Sequence, residues 1–298
     1  MVPVSDPARR LDLRADALLL LAATIWGFAF VAQRLGMQHT GPFLFNGVRF
    51  ALGSLTVLPF VRVAPLAGTT TPAQALRGCL LAGLFLFLGA SLQQVGMVHT
   101  SAGKAGFITG LYVVIVPLMG LLFRQHPTAG TWVGAVVATV GLYLLSVTTG
   151  LDLAPGDGLV LIGAFCWAAH VLIIGRYSSR VGWSRLAFAQ FSICSCLSLA
   201  VALFTEEIDP AGLWAVVLPL LYGGVLSTGV AHTLQVVAQA HAPAAHAAII
   251  LSLEAVFAAV GGWLLLGESF ARRGLAGCAL MLVGMLVSQL CELRARRR

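Results

Sequence analysis

Charge is what this chain has least of. Only 10% of its 298 residues are Asp, Glu, Lys or Arg, against about 25% in a soluble domain. That deficit excludes an ordinary water-soluble globule. The sizeable polar connections, at 62–75, 149–157, 176–184 and 205–212, are too short to hold a domain. The six cysteines (Cys79, Cys166, Cys194, Cys196, Cys278 and Cys291) form no CxxC pair. Cys194 and Cys196 fall about 200° apart on a helix, on opposite faces, so neither disulfides nor a thiolate metal site is expected. His170, His232 and His246 have no metal-binding spacing, and the chain has no Walker motif, Gly-rich phosphate loop or Ser/His/Asp set. No metal and no cofactor is expected, and ATP is excluded as a drive by the usual route. The net charge of +7 would point to nucleic acid in a soluble protein. Here the basic residues sit in short loops, where they set topology instead, and no nucleic-acid partner is expected.

What the chain has is apolar length. It is 59% hydrophobic, and ten apolar runs lie near 15–35, 42–62, 76–97, 103–123, 129–148, 157–175, 185–204, 213–239, 244–266 and 272–291. A helix crosses a bilayer in about 20 apolar residues. The pattern predicts an all-α integral membrane protein with ten transmembrane helices and the lipid bilayer around it. The opening segment has the charge order of a signal sequence, but its apolar run continues too far and bears Trp26. It reads as an uncleaved first span. With the N-terminus in the cytoplasm, thirteen basic residues fall on the inner side and four (Arg34, Lys104, Arg272, Arg273) on the outer, with Arg49 inside a run. The acidic residues Asp152, Asp157, Glu206, Glu207 and Asp209 fall outside. This bias places both termini in the cytoplasm of a multi-pass inner (plasma) membrane protein.

The two halves resemble each other. Trp26 matches Trp167 and Arg49-Phe50 matches Gln190-Phe191 at a spacing of 141. At 142, Gln93 matches Gln235, His99 matches His241 and Tyr112 matches Glu254; at 143, Gly134 matches Gly277 and Gly141 matches Gly284. Small loop insertions produce such a drift. The expected organisation is a cytoplasmic segment 1–14, a first repeat 15–148, a second repeat 157–291 and a basic tail 292–298. Five spans per half is odd, so the second half enters the membrane from the opposite side. That makes two inverted-topology five-helix repeats, an architecture that places a site near the midplane between the halves.

Three stretches then carry a family resemblance: AATIWGFAFVAQRLGM followed by GPFLFNGVRF, TSAGKAGFITGLYVVIVPLMGLLF, and SLEAVFAAVGGWLLLGESF. Over roughly 15–291 the chain resembles the EamA-type branch of the drug/metabolite transporter superfamily. The resemblance implies ten helices in two inverted repeats and movement of small metabolites such as amino acids, often outward. The chain departs from the family at Leu253-Glu254-Ala255, where members carry Leu-Glu-Pro; the helix-softening proline is missing. The leading expectation is a secondary transporter, not an enzyme, exporting amino acids or related compounds by alternating access. The alternatives are a membrane-embedded enzyme, which would need clustered catalytic groups near one surface, and a passive channel or sensor.

Candidate substrate-binding residues follow from depth and chemistry. Trp26 and Trp167 fall mid-run, although membrane tryptophans prefer interfaces; they either wall a cavity or pack helices. Phe30 shares a face with Trp26, and His170 lies three residues from Trp167. Tyr112 and Glu254 are repeat-equivalent and mid-membrane, a phenol and a carboxylate of the kind that fix a small ligand. A charge at that depth rarely faces lipid; the alternative for Glu254 is a structural ion pair or a hydrogen-bonded acid. Arg49 could attract a substrate carboxylate, pair with Glu254 or snorkel outward. Gln93 and Gln235 are ligands or interhelical hydrogen bonders. Pro117 and Pro219, inside the fourth and eighth runs, are gating candidates or fixed bends. Gly134/Gly141 and Gly277/Gly284 give the fifth and tenth runs one smooth face each, suited to packing on each other or in a homodimer.

Overall fold

In the computed structural model, residues 7–63, 70–100, 102–146, 154–266 and 272–295 are described. Asp152 between the halves and Arg296–Arg298 of the basic tail, both used to orient the chain, lie outside them. The described residues are helical, without a strand. In order they form α1 (Pro7–Gly36), α2 (Pro42–Val63), α3 (Pro72–Val98), α4 (Ala102–Gly110), α5 (Tyr112–Leu122), α6 (Ala129–Ser146), α7 (Asp157–Val181), α8 (Trp183–Thr205), α9 (Pro210–Ala215) and α10 (Val217–Leu221). A π-helix (Tyr222–His232) follows, then α11 (Thr233–Ala238), α12 (Ala244–Leu251), α13 (Glu254–Leu266) and α14 (Arg272–Ala295). Nine helical stretches among the described residues are long and apolar enough to cross a membrane, and Ala129–Leu145 is a shorter apolar helix.

The protein is apolar outside and polar within. Leu122, Phe204 and Trp214 are 80%, 90% and 76% exposed, whereas Asn46, Gln94, His170, Gln190 and Gln235 are almost fully buried. A bilayer selects this arrangement, since polar side chains there must find partners or a cavity inside the bundle. The buried apolar set is rich in alanine, which lets helix backbones approach closely.

The main helix pairings join the halves. α6 packs along α14, α2 along α8, α3 along α7, and α1 along the π-helix and α13. Exchanging the halves turns the α3–α7 pairing into the pairing of the π-helix with α1, and α5–α7 into α13–α1. The α6–α14 seam is where the glycine faces meet: a Cβ on Gly134 would fall 2.6 Å from the Gly284 carbonyl oxygen, and one on Gly141 2.6 Å from that of Gly277. These faces are thus consumed within one chain. Glu206 ties the halves again. Its carboxylate accepts from the amides of Phe43 and Leu44, both at 2.8 Å, capping the N-terminus of α2 where the helix dipole favours a negative charge.

Three of the expected spans are not continuous. The fourth breaks at Leu111 and the ninth at Ser252–Leu253, and the two breaks match bond for bond. Leu111 N–H donates to Ile108 O and Val114 N–H to Leu111 O; 142 residues on, Leu253 N–H donates to Ile250 O and Val256 N–H to Leu253 O. Each is one tight i→i+3 turn set into an α-helix. Pro117 follows the first break, but its counterpart is Ala259, so proline is not the cause. The missing proline after Glu254 therefore did not keep the ninth span whole. The eighth span bends at Val216, three residues before Pro219, whose ring clashes with the preceding turn, and then widens into the π-helix. There Gly224 and Gly229 lie against Leu52 and Thr56 of α2, with room for no side chain: a Cβ would come within 2.5 and 2.8 Å of theirs.

Candidate functional site

The two breaks meet. Tyr112 opens α5 and Glu254 opens α13, and the Tyr112 hydroxyl donates to Glu254 Oε1 at 3.3 Å. Both side chains line a central cavity whose empty space, its open mouth included, is about 560 Å³. Neither Glu254 nor Arg49 has an opposite charge within ion-pair distance among the described residues. Arg49 is instead bound locally. Its Nε donates to Asn46 Oδ1 at 2.9 Å, and its guanidinium lies 4.7 Å from the centroid of the Phe50 ring. At 4% exposure it does not snorkel.

Aromatic rings form one side of the cavity. Trp26 and Phe30 of α1 and Trp167 of α7 all line it. Trp26 meets His232 edge to face at 4.6 Å, and His232 lies 6.2 Å from Trp167. Gly89 on α3 makes room for the Trp167 indole, which a Cβ there would approach to 3.0 Å. The π-helix explains why His232 and Trp26 are held: Trp26 Nε1–H donates to the Ser227 carbonyl at 3.1 Å, and His232 Nδ1 contacts the same oxygen at 2.9 Å.

The structure also brings Gln93 and Gln235 to this wall. Gln93 Nε2 donates to Thr109 Oγ1 at 3.2 Å. His170 is not on it. It lies fully buried behind Trp167, with Nε2 2.7 Å from Gln190 Oε1. Pro117 and Pro219 lie beside helix breaks and off the wall. Four polar residues on the wall were not among the sequence candidates: Gln33, Thr109, Ser227 and His232. Gln33 had a signal, since 26, 30 and 33 share one helical face. His232 had one as well, lying three residues before Gln235; Ser227 had none, because the π-helix shifts the face that an α-helical reading would assign.

A buried apolar cluster adjoins the cavity and shares Tyr112, Val171 and Leu251 with its wall. Ala15, Leu19 and Ala22 of α1 pack with Ile115 and Val116 of α5 and Ala247 and Ala248 of α12 in one buried cluster. From these shared residues the wall continues along Phe30, Gln33, Gln93 and Thr109.

Three comparisons bear on what such a cavity is for. The EamA-like transporter family matches the chain twice, over residues 13–147 and 154–289. A transporter of Archaeoglobus fulgidus is 33% identical over 93% of this chain and 86% of its own length. A threonine/homoserine exporter of Salmonella typhimurium is 26% identical over 93% of this chain and 92% of its own. A chain of known crystal structure shares the fold, with a TM-score of 0.77 at 17% identity, covering 94% of this chain and 98% of that one.

Proposed function

The chain belongs to the EamA-like transporter family, and we propose that it is a secondary transporter that exports amino acids or related small metabolites across the inner membrane. In this reading ten helices form two inverted five-helix repeats, and the cavity opens to each side in turn. The observation that carries it is the Tyr112–Glu254 contact. Two helices broken at repeat-equivalent points present a phenol and a carboxylate, 142 residues apart in sequence, to one cavity. Broken helices at a repeat interface are where transporters hold substrate, because the interrupted backbone and its side chains supply polar groups inside the bilayer. The exporter named among the relatives supports the substrate class and the direction.

The test is counterflow of labelled amino acids in proteoliposomes. Saturable exchange is expected. Non-saturable flux would show a channel, and a chemically altered solute would show an enzyme. Orientation is tested separately by single cysteines at Ser5, Asp152 and Ala295 in a cysteine-free background. An impermeant thiol reagent on intact cells should label position 152 alone; labelling at 5 or 295 would overturn the topology.

A further inference from the structure

Arg49 is a charge without a counter-charge. It is buried, and a guanidinium keeps its proton inside a protein. No carboxylate of the described residues lies within ion-pair distance of it; the titratable groups beside it are the Cys194 thiol and the His232 ring. Its hydrogen bond among the described residues runs from Nε to Asn46 Oδ1, which leaves both Nη groups over. That bond also fixes the Asn46 amide. An N–H only donates, so the oxygen faces Arg49 and Nδ2 is a donor, buried without a partner. Ser198 Oγ, beside the same Cys194 thiol, is buried without a partner too, and so are both ends of the Gln94 amide.

These groups share one place in the fold. The apolar core between α2, α3 and α8 is built from Phe50 and Val57, from Leu86 and Ala90, and from Ala187, Phe191 and Cys194. Asn46 lies four residues before Phe50, Gln94 four after Ala90 and Ser198 four after Cys194, so each continues its helix's core-facing stripe by one turn. α2 runs antiparallel to α8, with Gly47 on Leu199 and Ser54 on Ser192. α3 runs antiparallel to α7, with Gly78 on Tyr177 and Gly96 on Val160, and α7 folds back on α8, with His170 on Gln190. α3 and α8 are therefore parallel, and all three stripes continue toward the same end of the seam.

We propose that this seam is a buried binding site for a small monovalent inorganic anion, chloride in a cell, held by Arg49, Asn46, Gln94 and Ser198. A charge taken out of water is costly unless it is paired. Water in the seam would meet the hydrogen bonds and leave the charge. The leftover groups of Arg49 and Asn46 only donate, and the Ser198 hydroxyl and Gln94 Nε2 donate as well. A cation would find Gln94 Oε1 and little else. Asn46, Gln94 and Ser198 are 0% exposed and lie off the cavity wall, so the site suits a single atom and not an organic carboxylate, whose hydrocarbon body needs the cavity. Of the four residues Arg49 alone lines that cavity. The ion cancels its charge from behind the wall, and Glu254 then sets the sign of the cavity.

The experiment is equilibrium dialysis of the purified full-length protein against radiochloride, at an ionic strength held constant with gluconate so that general screening does not change. A single saturable class of chloride is expected, displaced by bromide but not by gluconate or propionate. The melting temperature should rise as chloride replaces gluconate, because a ligand of the folded state stabilises it. Ser198→Ala and Gln94→Leu each remove a donor to a charge and should weaken chloride by about tenfold. Arg49→Leu should abolish the binding. The absence of saturable chloride overturns the site, and so does chloride binding unchanged in a folded Ser198→Ala or Arg49→Leu protein. Displacement by propionate as readily as by bromide also overturns it, since the ligand is then a carboxylate that reaches Arg49 from the cavity. Should Arg49→Leu not fold, dialysis of the parent and of Ser198→Ala, the loss of one buried hydroxyl, decides.

Discussion

Two buried polar clusters in this protein look alike in composition and differ in one respect. Near the start of α12, His246 Nε2 lies 3.0 Å from Asp16 Oδ1 and its Nδ1 lies 2.9 Å from Ser288 Oγ, while Gln289 Nε2 donates to Asp16 Oδ2 at 2.9 Å. The other cluster is the cavity wall around His232, Gln235 and Glu254. Both hold a histidine, a glutamine and a carboxylate, and both join helices from the two halves. In the first, each of these polar groups has its partner. In the second, His232 Nε2 and the oxygens of Gln33 and Gln235 have none. A fully paired polar network fixes a structure, whereas a partly satisfied one costs stability and is retained where a ligand completes it. Burial and polarity alone therefore do not mark a site here, and neither does an unmet bond alone, since both ends of the Gln94 amide, His170 Nδ1 and Gln190 Nε2 also lack partners away from the wall; the two clusters differ in that one lines a cavity and the other does not.

The strongest way to break this distinction is Glu254→Gln. The substitution keeps shape and one acceptor but removes the titratable charge. If Glu254 acts on substrate or proton, transport should fall by about ten- to a hundredfold, the equivalent of the ~1.5–3 kcal/mol that a charged hydrogen bond contributes. The pH dependence of transport should flatten with it. The melting temperature should hold, because Tyr112 can still donate to the amide oxygen and no ion pair is broken. A variant that transports normally with an unchanged pH profile would place Glu254 with the structural cluster.

A smaller loss is expected from Trp26→Ala and Trp167→Ala. Each indole faces the cavity on one side and packs on the other, Trp26 against His232 and Trp167 against the buried core around Phe191. Exchange should drop several-fold in proteoliposomes while the protein stays monodisperse in detergent. If both variants exchange at the parent rate, the rings are packing residues and the cavity lies idle. Trp26→Ala and Trp26→Phe both remove the bond to Ser227 O, so the larger loss expected of Trp26→Ala measures the ring itself.

Much of this was legible in the chain. Apolar runs separated by charge define spans because a bilayer demands apolar length, and the spacing of 142 paired Tyr112 with Glu254 before any contact was visible. Trp26, Phe30 and Gln235 were legible because depth and helical face are both sequence quantities. The π-helix was not. It lies where Gly224 and Gly229 approach α2 closely, a tertiary fact with no local signature, and it sets where Ser227 falls on the wall. Nor could the sequence place His170 behind Trp167 rather than beside it, since three residues separate them in any helix. The break before Glu254 was obscured for a different reason. Proline is the usual sign of an interrupted helix, whereas this one is made by a tight turn in which Ser252 Oγ donates to the Ile249 carbonyl at 2.8 Å, a side-chain bond that competes with the helical ladder.

The smallest effect, and the one that sharpens the comparison from the other side, is expected at Ser288. Its side chain is fully buried, and its hydroxyl is the partner of His246 Nδ1. Ser288→Ala removes that partner while leaving His246 bound to Asp16, so one ring nitrogen becomes a buried polar atom with nothing to meet. Stripping such a group typically costs ~1–3 kcal/mol, which should lower the melting temperature by a few degrees in a protein of this size. Transport by the surviving folded protein should be unchanged in rate and in pH dependence, because neither Ser288 nor His246 reaches the cavity wall. The pair of readouts matters more than either alone. A cluster that only fixes structure moves stability and not transport, and Glu254→Gln should do the reverse. If Ser288→Ala instead slows exchange at unchanged stability, the paired cluster is a moving part. The apolar cluster of Ala15, Leu19, Ala247 and Ala248 would then open through it, and complete pairing in one structure would no longer identify a residue as structural.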